Sequence, residues 1–223
     1  MSRIEGTSVT ARSLHAAAGV LAATLLTACG GSASNAKDGD SAADANTSGA
    51  SGTPSATADE VRGRPDTGLP ADLDMTFAWS KTGKASSDAV YADGEQFFRG
   101  LKRASARHDL KDRAYSFYSS RQGLSYAVAQ IKGNIEGGFV PTGTDRYFKG
   151  KVAVFGKDSA ALVTCRDQRK LFSKDLKTDK VHTSDPDDAE NFVLYNMAMK
   201  KSSEGIWKVS EVEVKAPAEE CMP

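Results

Sequence analysis

The spacing of apolar positions changes several times along this chain, and each change marks a different kind of segment. Residues 16–28 are almost unbroken Ala, Gly, Val and Leu, interrupted by Thr24 and Thr27. From Gly30 to Gly68 the only large aliphatic side chain is Val61, and aromatic residues are absent. Leu73, Met75, Phe77 and Trp79 then alternate with Asp74, Thr76 and Ala78, which predicts a short strand. Val90, Phe97, Leu101 and Ala104 recur at helical spacing behind Ser86, Ser87 and Asp88, residue types that cap helices. A break at His108-Asp109 leads into the segment 114–118. Leu124, Ala127, Val128, Ile131 and Ile135 predict a second long helix, ended by Gly137-Gly138.

Beyond Arg146 the period becomes two. Segments 147–155, 160–165, 191–200 and 206–215 read as strands rich in Val, Phe, Tyr and Trp, with a smaller hairpin over 170–182. In the last strand Trp207 and Val209 share one parity whereas Val212 and Val214 take the other, so a bulge or bend is expected between them. Gly156 and Gly205 fall at turns. Helices followed by a run of strands predict an α+β domain, its N-terminal helices packed on a curved antiparallel sheet of about four to six strands.

The segments before the domain carry different information. Arg3 and Arg12 precede the apolar stretch, and small residues end it, as in an export signal. At this length the stretch falls short of the roughly 20 residues of a membrane span. Its last four positions, Leu26-Thr27-Ala28-Cys29, resemble the lipobox of bacterial lipoproteins. That resemblance implies a signal peptide over 1–28 and a diacylglycerol-modified, palmitate-type lipid anchor at Cys29. It places the chain on the extracytoplasmic face of the cell membrane; the alternative is an ordinary secretory signal. Residues 29–68 cannot bury enough apolar surface to offset their ordering entropy and read as a disordered linker. Residues 69–223 have the size of one domain.

Charge narrows the partners. The chain has 29 Lys+Arg and 29 Asp+Glu; removing Arg3, Arg12 and Glu5 leaves 27 and 28, a net charge of −1. Such a balance provides no long-range field for nucleic acid. With Cys29 lipidated, Cys165 and Cys221 form an even pair in a compartment that permits disulfides. A bridge would pin the C-terminal tail to a strand; two free thiols are the alternative.

Candidate chemistry is sparse. His108 and His182 read as surface residues, no G-x-S-x-G elbow occurs, and no phosphate-binding glycine loop lies between a strand and a helix. No cofactor is therefore expected. The Cys pair has no His or further Cys at ligand spacing, and Asp185, Asp187, Asp188 and Glu190 lack EF-hand spacing, so no metal site is expected either.

The order of elements resembles the nuclear-transport-factor-like cone, also called cystatin-like, in which a curved sheet clasps the helices. More specifically, 117–119, Gly138-Phe139, 142–148, 163–167, 172–174, 177–181 and 192–195 resemble a group of lipoproteins of high-G+C Gram-positive bacteria, largely without assigned function. One departure is Asp179, where that group carries Gly; Asp179 would have to adopt a left-handed backbone. The resemblance bears on fold and location; the preferred reading is an envelope module that binds a small apolar ligand or a protein partner without catalysis. Tyr115, Tyr118 and Tyr126 either line the cone or fill the core, and Trp207 is expected to be buried, its indole N–H finding a partner or lining the cavity. The alternative is an isomerase-like or polyketide-cyclase-like enzyme acting on a small apolar substrate, with the acid Asp109 and the tyrosines Tyr115, Tyr118 and Tyr126 supplied by the helical part. A purely structural envelope protein is a third reading.

Overall fold

The computed structural model describes residues 63–223. The expected export segment over 1–28, Cys29 and all but the end of the expected 29–68 linker lie outside the described residues. Strand β1, Leu73–Ala78, follows the predicted alternation, burying Leu73 and Met75. Helix α1 spans Ala85–Arg107. Ser86, Ser87 and Asp88 do not cap it: Lys84 holds the N-cap position. Asp88 instead folds back, and its Oδ1 accepts from the Thr82 backbone N–H at 2.7 Å and the Thr82 hydroxyl at 2.8 Å. The helix ends where expected, at His108 in the left-handed conformation, whose ring nitrogen meets the Phe139 carbonyl at 2.7 Å.

A short helix α2, Arg113–Phe117, is capped by the Asp112 carboxylate, and α3, Arg121–Gly137, ends on left-handed Gly138. Gly100 of α1 faces the α2 backbone so closely that a Cβ there would sit 2.6 Å from the Ala114 carbonyl carbon. Only a residue without a side chain permits that approach.

Strands β2 (Phe139–Phe155) and β3 (Ser159–Asp175) form a long antiparallel ribbon. Strand β4, Val181–His182, closes a hairpin on β3 through left-handed Asp179, as the Gly departure requires. Strands β5 (Phe192–Lys201) and β6 (Trp207–Lys215) complete a curved six-stranded sheet of order β1-β2-β3-β5-β6. The fold is α+β as expected, but the sheet is mixed: β1 runs parallel to β2. Three helices intervene between these two strands, and such a crossover allows the parallel direction that a tight turn forbids.

The predicted phase change in β6 is a bulge. Ala198 pairs with Glu211 and Met199 with Val209, so Ser210 is the extra residue. Gln122 of α3 brackets it, its Oε1 accepting from Val212 N–H at 2.6 Å and its Nε2 donating to Val212 O at 3.2 Å. The bulge thereby lets Trp207, Val209 and Val212 all be buried. Phe97, Leu101 and Ile131 join them in the main core, with Val128 at its margin.

Cys165 and Cys221 form a disulfide with a Cα–Cα distance of 5.4 Å. Around it Phe192 and Ala218 build a second small cluster, so the tail is packed as well as bridged. Residues 64–67, which composition assigns to the linker, are tied to α1 by polar contacts. Arg64 Nη1 meets Asp93 Oδ1 at 2.6 Å, Arg103 Nη1 meets Asp66 Oδ2 at 2.7 Å, and Thr67 bonds Gln96. Composition does not reveal this docking because ion pairs, not apolar side chains, carry it. Among the described residues no helix is long and apolar enough to cross a membrane.

Candidate functional site

Between α1, α3 and the sheet the interior contains a charged cluster that neither periodicity nor motif signals. Strand alternation turns Asp145 and Tyr147 of β2 inward, and register places Tyr147 opposite Arg166 of β3. Thr164, two residues before Arg166, pairs with Tyr195 of β5, so Tyr195 approaches from the neighbouring strand. Helix α1 supplies Lys102, next to core residue Leu101.

Asp145 is the hub and is completely buried. Its Oδ1 accepts from Arg166 Nε at 2.6 Å; its Oδ2 accepts from the Tyr147 hydroxyl at 3.3 Å and lies 3.2 Å from Lys102 Nζ. Arg166 Nη1 also donates to the Tyr195 hydroxyl at 3.4 Å, and the Tyr126 and Tyr195 hydroxyls bond each other at 3.1 Å. Burial pushes the Asp145 carboxyl up, but Arg166 and Lys102 together outweigh it and hold the group below the ordinary carboxylate value. For Lys102 burial wins: with Arg166 beside it, the ammonium is pushed down to about 8 despite Asp145. Burial raises the Tyr126 and Tyr147 hydroxyls, so both remain protonated donors at neutral pH.

The residues expected to line the cone divide. Tyr126 lines a cavity of about 30 Å³ together with Lys102, Gln130, Asn134, Arg166 and Tyr195. Tyr115 instead donates to the Leu110 carbonyl at 2.6 Å, and Tyr118 accepts from Arg64 Nη1 at 3.1 Å. Both hydroxyls serve to hold loops on the helices. Trp207 is 1% exposed, but its indole N–H is buried with no hydrogen-bond partner among the described residues, and it does not line this cavity. The helix-borne acid Asp109 caps a local turn by accepting from Lys111 N–H. The inward acid comes from β2. Asp145 and Arg166 fall just outside the predicted strands 147–155 and 160–165, so periodicity gave no sign of their inward placement.

The rest of the interior is filled by aromatic rings together with aliphatic side chains and methionines. Phe98 packs against Tyr147 with ring centroids 4.3 Å apart and against Tyr195 at 5.2 Å. The cavity is thus about tenfold smaller than ordinary small-molecule pockets of about 300 Å³ or more. Outside it, a groove of about 410 Å³ runs between β2, β3 and the β4–β5 loop, and Lys102 and Asn134 line groove and cavity alike. His182 stands at this groove with its ring edge-on to Phe139. In the acidic loop, the Asp185 and Asp188 carboxylates accept backbone N–H bonds from Asp187 and Glu190.

No family model matches the chain, and no curated protein matches it. Among solved structures, a ketosteroid isomerase-like protein from Erwinia carotovora atroseptica is 11% identical over 58% of this chain and 94% of that one, with a TM-score of 0.41. A protein from Catenulispora acidiphila is 11% identical over 58% of this chain and 93% of its own, with a TM-score of 0.38. The intermembrane space region of the chloroplast protein ARC6 is 12% identical over 55% and 94%, with a TM-score of 0.37. Likeness at this level speaks to neither reaction nor ligand, and the architecture stands on the strands and helices described above.

Proposed function

We propose that this chain is a lipid-anchored lipoprotein of the cell envelope whose folded domain is a non-catalytic binding module. The observation that supports it is the state of the inward carboxylate. An isomerase-like enzyme needs a free base beside a tyrosine and room for a substrate. Asp145 has the tyrosines, but three donors engage it, two cations keep it ionised and weakly basic, and about 30 Å³ remain beside it. A binding role makes no such demand, because the open groove lies outside the core.

The anchor belongs to the same proposal. Two acyl chains on Cys29, at about 0.8 kcal/mol per buried methylene, hold a protein stably on a membrane. A polar linker of this length has a reach on the order of 35 Å, enough to carry the domain clear of headgroups. Detergent phase partitioning of the full chain tests it: wild type enters the detergent phase and Cys29→Ser does not. Equal partitioning removes the lipoprotein assignment. The catalytic alternative is tested by isotope exchange. A panel of small ketones incubated with the protein in deuterated water should gain no deuterium beside the carbonyl. Incorporation that disappears in Asp145→Asn replaces the binding reading with the isomerase-like one.

A further inference from the structure

The 30 Å³ cavity has a surplus of donors and of positive charge. Lys102 and Arg166 bring two cations to it, and among the described residues Asp145 is the one carboxylate that pairs with both. Hydroxyl protons are in excess too. Tyr126 and Tyr195 own two, yet one hydrogen bond joins them and Arg166 can only donate to Tyr195. Whichever hydroxyl donates in that bond, the other proton is left over. Lys102 Nζ has three protons, one of which faces Asp145. In a nearly buried site such a surplus is unfavourable unless an acceptor fills it.

We infer that the cavity and the groove outside it form one binding site for a small organic monocarboxylate. Its carboxylate is received by Lys102, Arg166 and the Tyr126–Tyr195 hydroxyls, and its body lies in the groove against Leu171 and Phe172. This identifies the ligand class of the binding module proposed above and rests on that reading. The geometry favours it at each step. The cavity has room for the oxygens of one carboxylate but not for a whole ligand. Lys102 and Asn134 line both spaces, so cavity and groove meet at these two side chains, and the inferred ligand passes between them. Pro141, Leu171 and Phe172 offer apolar contact along the groove, and Asp188 and Glu190, which also line it, disfavour a second negative charge on the ligand. A carboxylate bonded by Lys⁺, Arg⁺ and a phenol makes charge-assisted hydrogen bonds, the strongest available to it. A bound carboxylate would also oppose the burial and the Arg166 charge that together push the Lys102 ammonium down to about 8.

The test uses phenylacetate as the probe and 2-phenylethanol, its neutral counterpart, against the full chain purified in detergent. Ligand-observed NMR should show saturable phenylacetate binding near pH 6.5, with the alcohol weaker by about tenfold, or roughly 1.4 kcal/mol. Phenylacetate affinity should fall as pH rises past about 8 in the wild type. Lys102→Met should weaken phenylacetate by about tenfold or more and abolish that pH dependence, while Lys102→Arg should restore binding. Asn134→Leu, which narrows the gap without altering charge, should weaken binding too, and it serves if Lys102→Met does not fold. Equal binding of acid and alcohol, no saturable binding at millimolar phenylacetate, or unchanged affinity in both Lys102→Met and Asn134→Leu overturns the inference. None of these outcomes moves the partitioning or isotope-exchange results, so the ligand class can fail while the anchored binding module stands.

Discussion

Asp93 on α1 accepts the backbone N–H of Trp207, at the start of β6, through Oδ2 at 2.8 Å. Its other oxygen receives Arg64, so one buried carboxylate joins the entry of the domain, its longest helix and its last strand. Burial pushes this carboxyl above its ordinary value, with Arg64 and the Trp207 N–H opposing the shift incompletely. Removing it strands both partners. Asp93→Ala should lower stability by about 3–5 kcal/mol, as for a broken buried ion pair. Asp93→Asn, which can still accept from Trp207, should lose clearly less. Urea denaturation of the two variants checks the order; equal losses would show that the strand contact carries no weight.

Trp207 itself combines full burial with an indole N–H that has no partner among the described residues. Trp207→Ala should cost about 3–5 kcal/mol through the cavity it leaves. Trp207→Phe should cost less, because it keeps most of the packing and removes the unsatisfied donor. With Trp79 replaced, Trp207 emission should be blue and resist acrylamide quenching; red, quenchable emission would contradict its burial.

The disulfide closes a loop spanning 56 positions. In the chain-entropy view, a loop of this size is stabilised by about 4 kcal/mol. Cys221→Ser and the double variant with Cys165→Ser should show the same drop in melting temperature, since either removes one bridge. Thiol labelling of the unreduced protein should leave both residues unmodified. Stoichiometric labelling without denaturant would mean that the bridge does not form.

Acid stability should report on Asp145. Its folded carboxyl lies below the ordinary value of 3.8, so its contribution is present above about pH 4 and is lost as pH falls through the folded value. Asp145→Asn should flatten this acid limb of the stability curve while lowering stability at neutral pH. Lys102 acts at the other end. Its ammonium titrates near 8 when folded against 10.5 when free, so stability should rise with pH between those values and stop rising in Lys102→Met. A Lys102→Met curve parallel to wild type there would show that the lysine is not buried as described.

Some of this molecule is written along the chain and some is not. The amphipathic stripes of α1 and α3, left-handed Gly138, the opening strand and the bulge in β6 are consequences of local spacing and are legible from it. Each depends on residues within one or two turns or a few strand positions of each other. Long β2 and β3 were only half legible. Pro141 and Gly143 look like breakers, yet Pro141 lies before β1 pairing begins at Gly143, where its missing N–H is harmless. The second half of β3, from Arg166 to Lys174, is dominated by charge and lacks a run of apolar alternation.

What tertiary structure alone decided is the charged interior. Asp145, Arg166 and Lys102 are unremarkable in sequence, two on strands and one on a helix, separated by 43 positions between Lys102 and Asp145 and 21 between Asp145 and Arg166. The pairing of Tyr147 with Arg166 across β2 and β3, and the packing of α1 against the sheet, bring them together. Sequence determines which residues prefer water and which repeat at strand or helix spacing. Whether an inward charge is a stranded liability or half of an ion pair depends on what the neighbouring strand places opposite it, because Coulomb attraction in a low-dielectric interior acts over ångströms of space and not along the chain.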